Sequence, residues 1–214
     1  MTEIEFLIEG GEGPAAPTFL FAHGAGATMD APFMTMVAEG LAARGIRVAR
    51  FEFAYMAARR SGGPKRPPPK MEVLQEEFRA AVEALDCVGP LVIGGKSMGG
   101  RVASLIADDL FASGAVCGLL CLGYPFHPQG KPGKLRTEHL ASLKVPTLIC
   151  QGSRDAFGTR EEVAGYKLAA QVNLSWIEDG DHDLKPRKRV TGGDHATQLE
   201  RVCDAAAAWI KAQH

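Results

Sequence analysis

Short apolar runs alternate with longer stretches of helical periodicity along the whole chain. The runs predict strands at Ile4–Ile8, Thr18–Ala22, Ile46–Phe53, Leu91–Gly95, Val116–Leu122, Val145–Gln151 and Val172–Ile177. Few of them alternate with polar residues, as expected for strands covered on both faces. The longer stretches predict helices at Pro32–Arg44, Met71–Cys87, Met98–Ala112, Arg160–Gln171 and His195–Ala212. Asp30 is placed to cap the first helix and Gly45 to close it, and Gly114 stands where the third should stop. In the last helix Leu199, Val202, Cys203, Ala206, Trp209 and Ile210 form one apolar stripe. Strand and helix in alternation predict an α/β fold with a mainly parallel central sheet and helices on both faces. The segment Arg59–Lys70, rich in Pro, Gly and cations, reads as a loop. No internal repeat is visible, and a single domain over 1–214 is expected.

The order of strands directs attention to the loops after their carboxyl ends, where open parallel sheets carry their sites. The run Leu91–Gly95 leads into Gly95-Lys96-Ser97-Met98-Gly99, a Gly-x-Ser-x-Gly pattern between strand and helix. That context suits a sharp turn that lifts a serine hydroxyl clear of the backbone. The pattern alone is weak in a chain with 25 glycines, so the rest of the chain has to support it. The bland alternative is a pair of glycines packing a helix on a sheet, with an inert serine.

A serine hydroxyl needs a base to take its proton, and the base needs an acid to orient it. Asp155 follows the strand Val145–Gln151, and His182 follows the strand Val172–Ile177. Ser97, Asp155 and His182 thus fall in the order that such a fold requires. Singly, Asp155 reads as a turn residue and His182 as a solvated loop histidine; together with Ser97, each after the strand that requires it, they read as nucleophile, acid and base. His195 is the rival histidine, but it opens the last helix. Asp181 and Asp183 flank His182 too closely for an easy side-chain bond, which favours Asp155 as the acid. An oxyanion needs two N–H donors. Met98, directly after the serine, and Ala25, in the loop His23-Gly24-Ala25-Gly26, are the candidates. That glycine-rich loop could alternatively cradle phosphate, but it lacks the Lys-Ser/Thr ending of a phosphate loop.

At this point the chain resembles the α/β-hydrolase superfamily. More narrowly, it is similar to the small group containing testis-expressed protein 30 and the hydrolase-like part of the third subunit of the NSL chromatin complex, near the dienelactone-hydrolase branch. The segments that carry the resemblance are Gly95-Lys96-Ser97-Met98-Gly99-Gly100-Arg101, Pro125-Phe126-His127-Pro128 with Gly130-Lys131-Pro132 and Leu135-Arg136, Gln151-Gly152-Ser153-Arg154-Asp155, and Gly180-Asp181-His182-Asp183-Leu184. The resemblance implies a minimal α/β-hydrolase fold and a Ser97–His182–Asp155 triad acting on an ester, thioester or lactone. Lys96 departs from the uncharged residue that many esterases carry before the serine. Only about twenty residues separate the strand ending near Gly123 from that beginning at Val145, too few for the helical cap that many relatives insert there.

Half of the 24 basic residues lie in three stretches that also follow strand ends. They are Arg59, Arg60, Lys65, Arg66 and Lys70; Lys131, Lys134 and Arg136; and Lys185, Arg187, Lys188 and Arg189. With Lys96, residues Arg59, Arg60, Lys131, Arg136 and Lys185 are candidates for a basic substrate rim, which would concentrate a small anionic acyl substrate. Charge runs of this kind can also be mere solvated loops. No aromatic residues interleave with them as stacking platforms, so no nucleic acid is expected. The net charge of −1 suggests no global affinity for nucleic acid or membranes, and no apolar run reaches the length of a membrane span. The odd count of five cysteines, mostly in apolar runs, and an acidic start at Met1-Thr2-Glu3-Ile4-Glu5 predict a cytoplasmic protein with reduced thiols. No metal or organic cofactor is expected. A binding or scaffold module on the same fold, and an acyl or peptide transferase using the same three residues, remain open, as does the oligomeric state.

Overall fold

The computed structural model describes residues 4–213, so the first three residues of the acidic start lie outside it. Seven strands form one sheet: β1 (Phe6–Glu9), β2 (Thr18–Ala22), β3 (Arg47–Phe51), β4 (Leu91–Lys96), β5 (Gly118–Leu122), β6 (Thr147–Gly152) and β7 (Val172–Ile177). Their order is β1-β3-β2-β4-β5-β6-β7. Every pairing is parallel except the edge pair β1–β3, where Phe6 faces Phe51 antiparallel. Residues of β2 to β6 are buried along their full length. This double covering is why the sequence shows runs rather than alternation.

Within each strand successive side chains go to opposite faces. Phe19 and Phe21 join Val92 and Leu120 beneath α1 (Pro32–Ala42) and α7 (His195–Lys211). Leu20 and Ala22 join Phe51, Ile93 and Leu119 on the other face, beneath α3 (Met71–Ala84) and α4 (Met98–Ala112). The apolar stripe expected in the last helix is the buried face of α7. No cap domain interrupts the fold among the described residues; β5 and β6 are joined by a connection whose sole helical element is one 3-10 turn at His139–Ala141.

Four local expectations are corrected. The helix expected over Arg160–Gln171 is a single turn, α5 (Arg160–Val163). A reciprocal Thr159–Glu162 capping box opens it, but the Gly165 and Tyr166 N–H groups close tight turns on the Glu162 and Val163 carbonyls, and further on the Ala169 N–H bonds to the Leu140 carbonyl at 2.9 Å. The expected third strand ends two residues early, at Phe51, and a short helix, α2 (Ala54–Arg60), takes the first two residues of the expected loop. Another one-turn helix, α6 (Lys188–Thr191), occupies part of the third basic stretch. Asp30 does not cap α1: the cap residue is Ala31, and the Asp30 carboxylate instead accepts from the Thr28 hydroxyl. Gly45 does close that helix, at φ 78°, with its N–H on the Ala42 carbonyl. The five cysteines are unpaired, and Cys121, Cys150 and Cys203 are buried.

Candidate active site

β4 ends at Lys96 and α4 begins at Met98, leaving one residue to reverse the chain. That residue, Ser97, has φ 52° and ψ −112°, a backbone region that side-chain-bearing residues rarely occupy. Such a conformation costs on the order of 1–3 kcal/mol and persists only where the surroundings impose it. Here they do: the Ser97 N–H bonds to the Leu122 carbonyl at 3.0 Å, and the Arg101 N–H returns to the Ser97 carbonyl at 3.1 Å. The glycines of the motif are required by close approach. A Cβ on Gly99 would lie 2.5 Å from the Ala22 carbonyl oxygen and one on Gly95 would lie 2.6 Å from the same atom.

Asp155 stands in the turn after β6, fully buried, with its N–H on the Gly152 carbonyl. One carboxylate oxygen accepts from the Phe157 N–H at 2.9 Å and the other from the Gln151 side-chain amide at 2.9 Å. That second oxygen also meets His182 Nδ1 at 2.8 Å. His182 Nε2 lies 2.8 Å from Ser97 Oγ. With a carboxylate acceptor on one side, the imidazole proton belongs on Nδ1, which leaves the Nε2 lone pair facing the serine hydroxyl. The Phe157 ring packs over the imidazole with centroids 4.3 Å apart.

The loop carrying His182 is tied down from three sides. Arg187 holds the Asp179 carboxylate, and its hydrogen bonds push that carboxyl down to about 2. Arg154 Nε donates to the Asp179 carbonyl at 2.7 Å and its terminal nitrogen to the Lys185 carbonyl at 3.0 Å. Lys96 Nζ donates to the His182 carbonyl at 2.6 Å and lies 3.3 Å from Asp183. Lys96 was expected on the rim, but it is buried and its charge is spent on this loop, above the Phe33 ring.

Across the site, the loop after β2 packs against the serine turn: a Cβ on Gly24 would be 3.7 Å from Ser97 Cβ. Among the described residues the Ala25 and Met98 N–H groups have no protein acceptor, and Met98 occupies the first turn of α4, where N–H groups lack helical partners. The Tyr55 hydroxyl donates to the Ala25 carbonyl at 3.0 Å. His23, which the sequence showed only as the first residue of this loop, holds it in place. Its Nε2 accepts from the Phe53 N–H at 3.2 Å, so its Nδ1–H donates to the Gly24 carbonyl at 2.7 Å. Burial lowers its pKa to about 4, which keeps it in that neutral tautomer. Its position directly before the glycines was the available signal.

The chain matches the alpha/beta hydrolase domain family over residues 15–211. It belongs to that family. Among solved structures, an alpha-beta serine hydrolase homologue from Coxiella burnetii is 17% identical, with TM-score 0.71, covering 95% of this chain and 91% of its own. A dienelactone hydrolase from Anabaena variabilis is 20% identical, with TM-score 0.69 and coverage of 98% and 92%. A Xanthomonas campestris serine hydrolase described as lacking a lid is 18% identical, with TM-score 0.65 and coverage of 98% and 88%. At these identities the likeness is one of fold.

In this alpha/beta hydrolase domain the other expected rim residues have separate fates. Arg59, Lys131 and Lys185 are exposed and Arg136 is half-buried. Arg60 is not a free cation: it pairs with Glu5 at 2.6 Å and Glu52 at 2.9 Å. Arg59 lines an open cleft of about 580 Å³ with Gly26, Ala27, Thr28 and Asp30, next to Ala25. The rival histidine His195 turns its Nε2 to the Asp183 carbonyl at 2.8 Å. A second serine–histidine contact, Ser104 Oγ to His139 Nε2 at 2.8 Å, lies inside the fold. Ser104 is buried in the middle of α4 and donates to the Arg101 carbonyl, and no carboxylate orients His139. No helix among the described residues is long and apolar enough to cross a membrane.

Proposed function

We propose that this protein is a serine hydrolase that cleaves an ester, thioester or lactone through an acyl-enzyme. The observation that carries the proposal is the continuous line from Ser97 Oγ through His182 to Asp155, with 2.8 Å at each step, built on a serine of positive φ. His182 removes the Ser97 proton as Oγ attacks the carbonyl. Asp155 holds the imidazole in its tautomer and stabilises the charged form. The Met98 and Ala25 N–H groups receive the oxyanion. His182 then protonates the leaving group, and a water activated by the same imidazole releases the acyl group. The open site and the exposed cations Arg59, Lys131 and Lys185 favour a small anionic acyl substrate. The segments quoted above support a placement beside testis-expressed protein 30 and the hydrolase-like part of the NSL subunit.

The test is labelling with a fluorophosphonate probe, in wild type and in Ser97→Ala and His182→Ala, alongside hydrolysis of short p-nitrophenyl esters. Labelling and hydrolysis that vanish in the Ser97 variant support the proposal. A folded wild type that neither labels nor hydrolyses overturns it and leaves a binding module on this fold. A salt dependence of kcat/KM for an anionic ester no greater than for a neutral one overturns the anionic preference.

A further inference from the structure

Two arginines, one beside the serine in α4 and one in the β5–β6 connection, have no acid to answer them among the described residues. Arg101 lies one turn along α4 from Ser97, its N–H on the Ser97 carbonyl. Long side chains on a helix lean toward its N-terminus, here the Ser97 end. Arg136 comes from the connection between β5 and β6. That connection starts at Gly123 against His182: a Cβ on Gly123 would lie 2.6 Å from the His182 carbonyl oxygen. Both arginines are half-buried. Neither guanidinium has a hydrogen bond or an ion pair among the described residues, and Arg101 Nε is sealed from water with no partner at all.

The nearby acids are used elsewhere. Asp108 accepts from the Lys144 and Val145 N–H groups, and Asp109 pairs with Arg79. Glu138 is exposed and pairs with neither arginine among the described residues. Meanwhile the backbones of the two arginines are fastened to one buried hub. Ser104 Oγ donates to the Arg101 carbonyl at 2.7 Å, and the Tyr124 hydroxyl donates to the Arg136 carbonyl at 3.2 Å. Ser104 and Tyr124 lie 3.4 Å apart, and His139 Nε2 meets Ser104 at 2.8 Å. Burial first, and the Arg101 charge second, lower the pKa of both Arg136 and His139, the latter to about 4. A pair of partly desolvated like charges without a counter-ion is unfavourable in the empty protein. It becomes favourable when an anion sits between them, because guanidinium forks match carboxylate and phosphate oxygens.

We propose that Arg101 and Arg136 form a binding site for an anionic group, carboxylate or phosphate, carried by the substrate acted on at Ser97. The proposal rests on the hydrolase reading for the substrate but not for the anion. His139 and Tyr124 are positioning residues that set the spacing of the two forks.

The test is titration calorimetry of the full chain with succinate and, separately, with inorganic phosphate at low ionic strength. Wild type should bind at least one of them saturably, and which one distinguishes the two chemistries. R101Q and R136Q should each weaken that binding by about tenfold to a hundredfold, as expected for losing a charge-assisted fork. R101K, which keeps the charge and loses the fork, should fall between. In anion-free buffer R136Q should melt no lower than wild type, because it removes repulsion; a purely structural arginine would lower the melting temperature. Absence of binding by wild type, or binding unaffected by both substitutions, overturns the proposal. Fluorophosphonate labelling of the same preparations keeps the two readings apart. Labelling without anion binding removes this proposal alone, and anion binding without labelling removes the hydrolase reading alone.

Discussion

The Lys96 ammonium donates a 2.6 Å hydrogen bond to the carbonyl of His182, the residue whose side chain faces Ser97. The residue before the serine therefore fixes the backbone of the proposed base. Burial lowers the Lys96 pKa, a sign that the buried charge is costly in itself. K96M should accordingly slow fluorophosphonate labelling by about tenfold to a hundredfold, since small misplacements of a base have effects of that size. Its melting temperature should change little, and KM for a short ester should hold while kcat falls. Equal labelling rates in the two proteins would show that Lys96 does not position the base.

Asp155→Asn tests the other side of the imidazole. The asparagine keeps the size of the side chain and can still accept from Phe157, but it can no longer hold the Nδ1 proton in the required tautomer. The rate of ester hydrolysis should fall roughly ten-thousandfold, the scale seen when a triad acid becomes an amide. Stopped assays with short p-nitrophenyl esters, alongside circular dichroism to verify the fold, measure this directly.

Gly99→Ala probes the packing that makes the serine turn. Its new methyl would press on the Ala22 and His23 carbonyl oxygens, at 2.5 and 2.7 Å, and backbone cannot step aside cheaply. Stability should drop by about 1–3 kcal/mol in urea unfolding, as for other overpacked sites. Labelling should slow as well, because β2 and α4 meet at the same point.

The pH dependence of stability follows from His23. Unfolded, it binds a proton near its ordinary pKa of 6.5; folded, burial lowers that to about 4. Between these values the unfolded chain holds more protons, so acid favours unfolding. The contribution is complete above pH 6.5 and is lost progressively toward pH 4, by about 3 kcal/mol in all. His139, lowered to about 4 chiefly by burial, acts in the same direction. Urea midpoints measured from pH 7 to pH 4 should show the decline, with a shallower slope in H23Q.

Below that range Asp179 takes over. Its carboxyl is pushed down from 3.8 to about 2 by the hydrogen bonds from Arg187, so its contribution is present above pH 3.8 and lost as pH falls through about 2. R187Q should remove this acid transition and loosen the loop that carries His182, seen as faster amide exchange there.

Strands β2 to β6 were legible because they are buried on both faces and so appear as apolar runs; β2 has the bounds that its run predicts, and so does the edge strand β7, which is mostly half-buried and alternates apolar with polar residues. The positions of Ser97, Asp155 and His182, after β4, β6 and β7, were legible because those strands were. Tertiary contacts account for what was missed. Nothing near Arg60 in sequence announces Glu5 as its partner, and nothing near Lys96 announces a carbonyl 86 residues away. Counting cations along the sequence therefore overstated the free charge. The helix expected after Thr159 does start there, but it ends after one turn, where the Gly165 and Tyr166 N–H groups turn back to the Glu162 and Val163 carbonyls. His23 looked like a bystander because its work is done through backbone groups, which no side-chain motif records.

One amide gives the site a direction. The Gln151 side-chain oxygen accepts from the Tyr124 N–H at 2.7 Å while its nitrogen donates to Asp155 at 2.9 Å. Reversing the amide would set nitrogen against an N–H and oxygen against a carboxylate, so the group cannot turn over. The proposed acid and Tyr124, the second residue of the β5–β6 connection, are thereby joined through a coupling that tolerates neither Glu nor a hydrocarbon at position 151. Sequence drift in that connection is free to act beyond Tyr124, where ligand preference can change, while the geometry around His182 stays as it is.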